Sequence, residues 1–597
     1  MISSRLLIYD YPHIIFWVIS LARKRLEDDL KLDIRENGGK FYAYRSTSRM
    51  VDGRKITETV YLGRYDPDTE IITPKRARGP KRSKEELTAC KMEMTVIEFA
   101  HGLKTREYGT VYLLHMIQVR SRLGRDLELS FGPHVAKTIL GVGMALAIEG
   151  GAFMHVEDTM TRTMIREFYS LNGDFSSGSL SEFTHQIGLC NGNMDHFFEL
   201  RVAACLSIIS WDSTTKGTYS DDNPLAEFLK SNKDNEDIPQ VKKAIASDDN
   251  GIPLMFKLYP GTLSDMATLT DFVKTVKGYG RTDVTVAIDR GYGSGANINY
   301  LLSENISFVL PANAEMTVIK SLMTEFKKRK NEHKTFEKHA YDVWEVELCV
   351  VRSKRKNAVG EDAYDLVRVK DAPAEAGRIT AFVCYDTKKS SDEIQNLRLR
   401  LESISERLEK IDSPDPMAEF HKIAGKSKNF FFAVAEGRRL RFSIRNNAVS
   451  FAENKAGLFV MLASKGIGWE RMMATYDVRR FVEQNFDYDK DDDRRFRTSD
   501  PVTVSGREFL RFVALIMKCE IASLFRHYNS AVTSNSVLNT MSTIQAVGRD
   551  DEWGVVPVTK KARDILDYVG LEVPKIAKTG VPLCSIEDKI EAVEDGA

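Results

Sequence analysis

Cysteine is scarce in this sequence and occurs only as scattered single residues. The chain has 597 residues and seven cysteines, with no C-x-x-C pair and no histidine partner at the spacing of a zinc site. This pattern argues against a zinc module. It is typical of reduced thiols, so we expect a cytoplasmic protein.

The sequence also lacks an uninterrupted run of membrane length. Its one membrane-like stretch, residues 6–22, is broken by Asp10, Pro12 and His13. Only about nine clean apolar residues remain, against the roughly 20 that a spanning helix needs. A buried element or an over-long start of the reading frame explains the stretch better than a targeting signal, so no membrane partner is expected.

Net charge is absent as well, because 85 basic residues balance 85 acidic ones. This balance argues against a uniformly basic nucleic-acid-binding surface and leaves room for local basic patches. Hydrophobic residues make up 43% and charged residues 28% of the chain, which is typical of a soluble globular protein. The length exceeds what one hydrophobic core covers, so we expect two to four domains.

The first part of the chain predicts a small β-rich module over residues 1–72. Polar and apolar positions alternate there on both sides of Asp52-Gly53, which is a β-hairpin pattern. Residues 73–84 follow, with six basic residues among two prolines and a glycine. This segment is either an ordinary solvated linker or an arm that contacts phosphates.

Helical periodicity dominates residues 85–205 and predicts a helical domain. Arg120, Arg122 and Arg125 stand close together after an apolar helix. They indicate either a DNA-binding surface or a solvated helix end. We interpret the segment as a probable DNA-binding domain.

Residues 206–314 predict the first part of a mixed α/β core. The order is strand, hairpin, helix, strand, helix and strand, with the hairpin turn at Asp249-Asn-Gly251. An RNase H-like core has this succession. Helical patterning returns from Trp469 to about His527, which places the second part of the core at residues 456–530.

Residues 315–455 between the two parts are interpreted as an insertion subdomain, and residues 531–597 as a C-terminal tail. The insertion holds β-patterned pieces and one amphipathic helix. The apolar residues of that helix repeat in steps of three and four: Ile394, Leu397, Leu401, Ile404, Leu408 and Ile411. Because the repeat is short, packing within the chain is favoured over dimerisation.

Two carboxylates stand at the ends of apolar strands. Asp212 ends the run that begins at residue 203, and Asp289 ends the run that begins at residue 283. An unpaired buried charge is costly unless it is paired or binds a metal. Each could be a loop-edge residue, but together they suggest a metal site.

A third group of polar residues is spaced like one face of a helix. Tyr476, Arg479, Glu483 and Lys490 lie at offsets 0, 3, 7 and 14. On a single helix they would form a line about 21 Å long. Such a stripe suits a metal ion with phosphates, although a charged solvent face is the alternative.

The spacing Tyr-x2-Arg-x3-Glu-x6-Lys resembles the Y-R-E-K signature of a large group of bacterial and archaeal insertion-sequence transposases with a DDE catalytic site. It matches without gap or substitution. Other blocks resemble the same group: Asp212-Ser-Thr, Gly251-Ile-Pro253, Pro260-Gly-Thr-Leu-Ser-Asp265, Asp289-Arg-Gly-Tyr-Gly-Ser294, Asn297-Ile298 and, for a subgroup that begins with a hairpin, Tyr61-Leu-Gly-Arg64. Thr262 stands where the group usually has Asn, outside the catalytic residues.

The resemblance covers roughly residues 36–580 and implies an RNase H-like fold with these site residues. Asp212, Asp289 and Glu483 would be catalytic and would ligate two Mg²⁺ ions, for which Mn²⁺ can substitute. We expect their carboxyl carbons to lie within about 10 Å of one another. Tyr476 and Lys490 would hold a phosphate at the transposon end, and Arg479 a nearby backbone phosphate.

The activity implied is DNA cleavage at the ends of an insertion sequence and strand transfer into a target, as in cut-and-paste transposition. The partners would be double-stranded DNA with terminal inverted repeats and target DNA, bound by a homodimer. One alternative is a transposase-derived DNA-binding protein without mobility. A remote alternative is a nucleotide-binding enzyme, suggested by the alternating glycines of residues 291–295.

Overall fold

A computed structural model describes residues 32–73 and 102–583 with short gaps at 52–53, 68, 70, 221, 230–237, 337–340, 357–359, 361, 493–494, 497–499, 529–531 and 550–551. The apolar stretch at 6–22, the Asp52-Gly53 turn and residues 74–84 of the basic segment lie outside the described residues. Two compact units are present. The described residues within 1–106, 545–556 and 574–577 form the first, and the other described residues form the second.

The first unit contains an antiparallel sheet of four strands and a second sheet of three strands. Its four-stranded sheet consists of β1 (Leu32–Asn37), β2 (Lys40–Val51), β3 (Arg54–Asp66) and β4 (Ile71–Thr73). β2 and β3 pair from Phe41↔Tyr65 to Val51↔Arg54, so the strands that the alternation predicts are antiparallel neighbours. β5 (Lys104–Glu107) forms a three-stranded sheet with β19 (Gln545–Arg549) and β20 (Glu552–Val555).

The predicted helical segment, residues 85–205, is helical from Gly109 to Ala203 with short breaks; residues 85–101 lie outside the described residues, and Lys104–Glu107 form strand β5 instead. The helices are α1 (Gly109–Arg120), α2 (Leu123–Phe131), α3 (Pro133–Ile148), α4 (Val156–Arg162), α5 (Ile165–Tyr169), α6 (Ser177–Leu189) and α7 (Asn191–Ala203). The three arginines do not form one exposed basic patch. Arg125 is buried on α2, and Arg120 donates to the Val569 carbonyl at 2.8 Å.

A large mixed sheet follows in the chain. Its strands are β6 (Ile208–Thr218), β7 (Gln240–Ser247), β8 (Pro253–Pro260), β9 (Thr285–Ile288), β10 (Ser307–Pro311), β11 (Lys334–Phe336), β12 (Tyr341–Lys356), β13 (Asp362–Arg368), β14 (Gly377–Asp386), β17 (Leu458–Ser464) and β18 (Arg495–Phe496). The order across the sheet is β11-β12-β14-β17-β10-β9-β6-β7-β8, with β13 on β12 and β18 on β6. The molecule is therefore a mixed α/β protein, as predicted.

β6 and β9 are parallel neighbours with the register Ile208↔Thr285 to Trp211↔Ile288. The predicted adjacency of the two carboxylate-bearing strands is confirmed. The prediction that Asp212 ends its strand is wrong, because β6 continues to Thr218. Its polar second half pairs with β7, so the end of the apolar run marks the end of the neighbour β9 rather than of β6 itself.

The remaining described elements are helices and one two-stranded sheet. The helices are α8 (Asp265–Gly278), α9 (Gly295–Ser303), α10 (Thr317–Phe326), α11 (Thr387–Glu409), α12 (Pro416–Ala424), α13 (Asn446–Lys455), α14 (Trp469–Asp477), α15 (Arg479–Asp492), α16 (Pro501–Leu524), α17 (Ser534–Met541) and α18 (Lys560–Tyr568). A two-stranded sheet of β15 (Phe431–Glu436) and β16 (Arg439–Ile444) lies between α12 and α13 in the chain.

The segment predicted to be an insertion has two kinds of structure. Strands β12 and β14 join the large sheet beside β17. The apolar residues of α11 instead form a separate core with α12, β15 and β16. The predicted packing of this helix within the chain is therefore confirmed.

Helix α16 is the main buried helix of the second unit, with buried residues on most of its surface. Aromatic rings join it to β8 and α7: Phe256 lies 5.2 Å from Phe512 and 5.4 Å from Phe198, measured between ring centroids. A helix buried on most of its surface has neighbouring elements on several sides. It fixes one end of the sheet on which the candidate site lies.

Among the described residues, no single helix has the length and apolar character needed to cross a membrane. One pair of helices, Pro133–Ile148 and Phe153–Arg162, has that length and apolar character only when the two are counted together, across a bend of 107°.

Candidate carboxylate site

Asp212 and Asp289 lie side by side because of the strand register. Each directly follows the last paired residues of β6 and β9, Trp211 and Ile288. Parallel neighbours in register bring residues at equivalent positions next to each other. The sequence thus places two carboxylates at one point of the sheet.

The third carboxylate comes from the helix. One nitrogen of Arg479, Nη2, lies 3.2 Å from Asp212, 3.5 Å from Asp289 and 3.0 Å from Glu483. No two of these oxygens can therefore be more than 6.7 Å apart, which is the sum of the two longest distances. Adding about 1.2 Å per carbon–oxygen bond keeps the carboxyl carbons within roughly 9 Å. The predicted proximity of the three carboxylates is confirmed.

The environment of Asp212 differs from that of its two neighbours. Its side chain is 15% exposed, against 41% for Asp289 and 54% for Glu483. Burial raises the pKa of Asp212 to about 6, although the charge of Arg479 and the Ser213 N–H, 2.8 Å away, act to lower it. The site is thus buried at Asp212 and open to solvent at the other two carboxylates.

Arg479 is the positive charge of this cluster. Burial lowers its pKa, but the carboxylates of Asp212 and Asp289 raise it by more, so the net shift is upward. Among the described residues, no group of three His, Cys, Asp or Glu side chains is arranged as a metal site. The three carboxylates supply hard oxygen donors of the kind that Mg²⁺ prefers, in an arrangement that here surrounds a guanidinium.

The spacing predicts Tyr476 and Lys490 on one continuous helix, and this prediction is wrong. Tyr476 belongs to α14 and Lys490 to α15, and Val478 separates the two helices. The two helices bury their apolar faces in different places. Met472 of α14 packs in a core with residues of β10, β14 and β17, whereas α15 contacts β6 and β7.

The break leaves Tyr476 beside the cluster. Arg479 Nη1 donates to the Tyr476 hydroxyl at 3.5 Å, and burial raises the pKa of that hydroxyl. Lys490 lies seven residues after Glu483 on α15 and is partly exposed. The structure therefore brings Tyr476, Arg479 and the three carboxylates together and places Lys490 further along the helix.

Asp265 lies beside the cluster and belongs to a sequence block singled out above. It accepts from the Ser213 hydroxyl at 2.8 Å and from Lys242 Nζ at 2.7 Å. Ser213 follows Asp212 on β6. Asp265 is thus connected to the strand that carries the most buried carboxylate.

Sequence reasoning missed a group of buried charges contributed by α15, β6, β7 and α16. They are Lys216, Lys243, Asp489 and Glu508, and none has a side chain more than 3% exposed. A signal was available in β7, where Lys243 lies on the same strand face as the apolar residues Val241 and Ile245. A lysine on the buried face of a strand indicates a buried carboxylate partner.

Three carboxylates, two at adjacent strands and one on a later helix, thus form an acidic site around the guanidinium of Arg479. A family profile described as "Transposase DDE domain" matches residues 203–509, which is 307 of the 597 residues. The chain belongs to this family of transposases.

One solved structure similar to the chain is described as a cryo-EM structure of piggyBac transposase synaptic complex with hairpin DNA. The two share 8% sequence identity with a TM-score of 0.33, over 73% of this chain and 79% of that chain. No curated protein sequence matches the chain.

The glycines that suggested a nucleotide site have a packing role. A Cβ on Gly295 would lie 1.9 Å from the Tyr364 carbonyl oxygen, and one on Gly293 would lie 2.9 Å from Leu310 Cδ1. Close approach of neighbouring atoms requires glycine at these positions without any bound phosphate. The alternating glycines therefore give no support to the nucleotide-binding alternative.

Proposed function

We propose that this transposase cleaves DNA at the ends of an insertion sequence and transfers the cut strands to a target, as in cut-and-paste transposition. The observation that carries the proposal is the convergence of Asp212, Asp289 and Glu483 on one nitrogen of Arg479. Asp212 and Glu483 are 271 positions apart in the sequence, and all three carboxylates lie within the residues that match the family. In the proposal they are the catalytic residues.

The catalytic core is proposed to be RNase H-like. Five strands in chain order, β6 to β10, occupy the order β8-β7-β6-β9-β10 within the sheet. β7 is antiparallel to both of its neighbours, whereas β9 is parallel to β6 and β10. This mixed arrangement supports such a core, in which Asp212 would lie on β6 and Asp289 directly after β9.

Asp212, Asp289 and Glu483 would hold the divalent ions, Mg²⁺ or Mn²⁺. Two such ions would activate the attacking water or 3′-hydroxyl and stabilise the leaving oxygen. The partial exposure of Asp289 and Glu483 leaves these side chains accessible to DNA and cations. Asp212, the most buried of the three, fixes the inner side of the site.

The signature Y-R-E-K assigns DNA phosphates to the other residues. Tyr476 and Lys490 would bind a phosphate at the transposon end, and Arg479 would bind a nearby backbone phosphate. Arg479 now pairs with the carboxylates, so cations would have to replace it before its guanidinium could contact DNA. The substrate would be terminal inverted repeats and target DNA, held by a homodimer.

The test is a pair of assays on DNA that contains the sequences flanking this gene. We expect Asp212→Asn, Asp289→Asn and Glu483→Gln each to remove Mg²⁺-dependent nicking and to retain binding in a gel shift, because they change ion ligands rather than DNA contacts. Asp487→Asn serves as the control, since Asp487 is an exposed carboxylate on the same helix. It should nick like the unmodified protein.

Near-normal nicking by any of the three variants would show that the triad is misassigned. Binding without nicking by the unmodified protein, across Mg²⁺ and Mn²⁺, would instead favour a transposase-derived DNA-binding protein.

A further inference from the structure

Helix α15 has two faces with different chemistry. Its buried residues are Val482, Asn485, Phe486 and Asp489, at the i, i+3, i+4 and i+7 spacing of one helix face. Glu483 is six residues before Asp489, which is about 240° around a helix of 3.6 residues per turn. The helix thus presents Glu483 to the carboxylate cluster and buries Asp489 in the protein.

Asp489 is held by two lysines from neighbouring strands. Its carboxylate lies 2.6 Å from Lys216 Nζ of β6 and 2.8 Å from Lys243 Nζ of β7. Lys216 also donates to the Asp489 carbonyl at 3.2 Å. Burial raises the pKa of Asp489, but the charges of the two lysines lower it by more, so the carboxylate is ionised and paired.

Lys216 stands four residues after Asp212 on the same strand. Because side chains alternate along a strand, both residues lie on one face of β6. The ion pair therefore joins the strand that carries Asp212 to the helix that carries Glu483. Asn485 adds a second buried contact, donating to Ser247 Oγ of β7 at 2.9 Å.

We infer that Asp489 is a positioning residue, which fixes α15 on β6 and β7 and thereby sets the place of Glu483 relative to Asp212 and Asp289. The inference rests on the proposed function, in which these three residues bind the ions. Charged hydrogen bonds restrict the helix more narrowly than apolar contact does, because both distance and direction are fixed. Loss of this contact should loosen the ligand geometry without touching a ligand.

A matched control exists within the same buried network. Glu508 of α16 pairs with Lys243 at 2.6 Å and with Arg511 at 3.1 Å. Glu508→Gln and Asp489→Asn therefore each remove one of the two buried carboxylates that pair with Lys243. Glu508 lies on a helix that carries none of the three candidate ligands, and the attachments of α15 stay in place.

The experiment measures Mn²⁺ affinity by electron paramagnetic resonance, on full-length variants well below their melting temperatures. Outer contacts that orient metal ligands are typically worth 10- to 100-fold in affinity, so we expect Asp489→Asn to weaken Mn²⁺ binding at least about tenfold. Lys216→Met leaves Asp489 paired with Lys243 and cuts only the link to β6. It should weaken binding in the same direction, and it carries the test if Asp489→Asn does not fold.

Glu508→Gln should change Mn²⁺ affinity less than about threefold, even where its melting temperature falls as far as that of Asp489→Asn. Equal losses of affinity in Glu508→Gln and the other two variants, or no loss in Asp489→Asn and Lys216→Met, would overturn the inference. Asp212→Asn separates this outcome from failure of the proposed function. If Asp212→Asn binds Mn²⁺ normally, the proposed ion site itself is wrong.

Discussion

Arg479 carries the positive charge at the centre of the candidate site. Three carboxylates within 3.5 Å of one nitrogen would repel one another strongly without a cation between them. The guanidinium offsets this repulsion from a rigid planar group, which lysine could not reproduce. The same residue is the proposed phosphate ligand, so one side chain has two alternative sets of anionic partners.

Lys490 provides a residue-scale prediction about DNA affinity. It lies about 10.5 Å along α15 from Glu483, which is too far to neutralise the carboxylates but suitable for a phosphate near the cut. We expect Lys490→Ala to weaken end binding with little dependence on sequence and to reduce the slope of log affinity against log salt by roughly one unit. Gel shifts across a salt series measure this slope.

Tyr476→Phe is the milder counterpart of that change. It removes one hydroxyl hydrogen bond and no charge, so the loss of DNA-binding free energy should be near 1 kcal/mol and the salt slope should stay the same.

A shift in the Mg²⁺ requirement of Lys490→Ala, with an unchanged salt slope, would contradict the assignment of Lys490 to phosphate.

At the scale of elements, the turn between β7 and β8 supports α15. Gly251 has φ +79°, and a Cβ there would lie 2.4 Å from Phe481 Cβ of the helix. Asn485 of the same helix donates to the Gly251 carbonyl at 3.0 Å. The turn thus contacts α15 closely, and only glycine fits at this position.

Gly251→Ala should therefore destabilise the protein by about 2–4 kcal/mol, combining a left-handed backbone with a forced shift of the helix. Gly280→Ala is the matched control, because Gly280 has φ +77° and no atom within 4 Å of an added Cβ. It should cost only about 1–2 kcal/mol. Thermal unfolding of both variants measures the difference, and equal losses would show that the contact with Phe481 is unimportant.

Local sequence patterns predicted which helices and strands form the site better than they predicted where each one begins and ends. The apolar runs before Asp212 and Asp289 predicted strands, and the structure pairs them. The same runs gave the wrong end for β6, because its polar half is stabilised by β7 rather than by its own apolar residues. The helix break at Val478 could not be predicted from the local sequence either, because it depends on where α14 and α15 pack.

Contacts between residues distant in the sequence could not be predicted from local patterns. Asp489 stands next to the motif residue Lys490, yet its lysine partners lie 273 and 246 residues earlier in the chain. The insertion was predicted to hold β-patterned pieces, but the place of β12 in the large sheet depends on its pairing with β14. Tertiary pairing of this kind leaves no periodic signal in one sequence.

At the scale of the whole molecule, the central helix α16 contains a carboxylate that links stability to pH. Burial raises the pKa of Glu520 from 4.5 to about 7, although Arg201 acts to lower it. The folded state therefore binds this proton more tightly than the unfolded state does. The resulting stability is present below pH 4.5 and is lost as pH rises through about 7.

Glu520→Gln mimics the protonated form, so its advantage over the unmodified protein should grow with pH. We expect up to about 3 kcal/mol at pH 8 and little at acidic pH, since each pKa unit corresponds to about 1.4 kcal/mol. Melting temperatures across the pH range measure the trend, with the exposed Glu157→Gln as the control. An advantage that is constant with pH would contradict it.

The two strands and the helix of the site come from distant parts of the sequence, and the central claim is that their carboxylates form one ion-binding site. Fe²⁺-directed cleavage tests it most directly, because Fe²⁺ accepts the same oxygen ligands and radicals formed at the bound ion cut the adjacent backbone. With ascorbate and peroxide, we predict cuts next to Asp212, Asp289 and Glu483, all suppressed by excess Mg²⁺. Cuts that miss any one of these three segments, or that persist in excess Mg²⁺, would contradict the shared ion site.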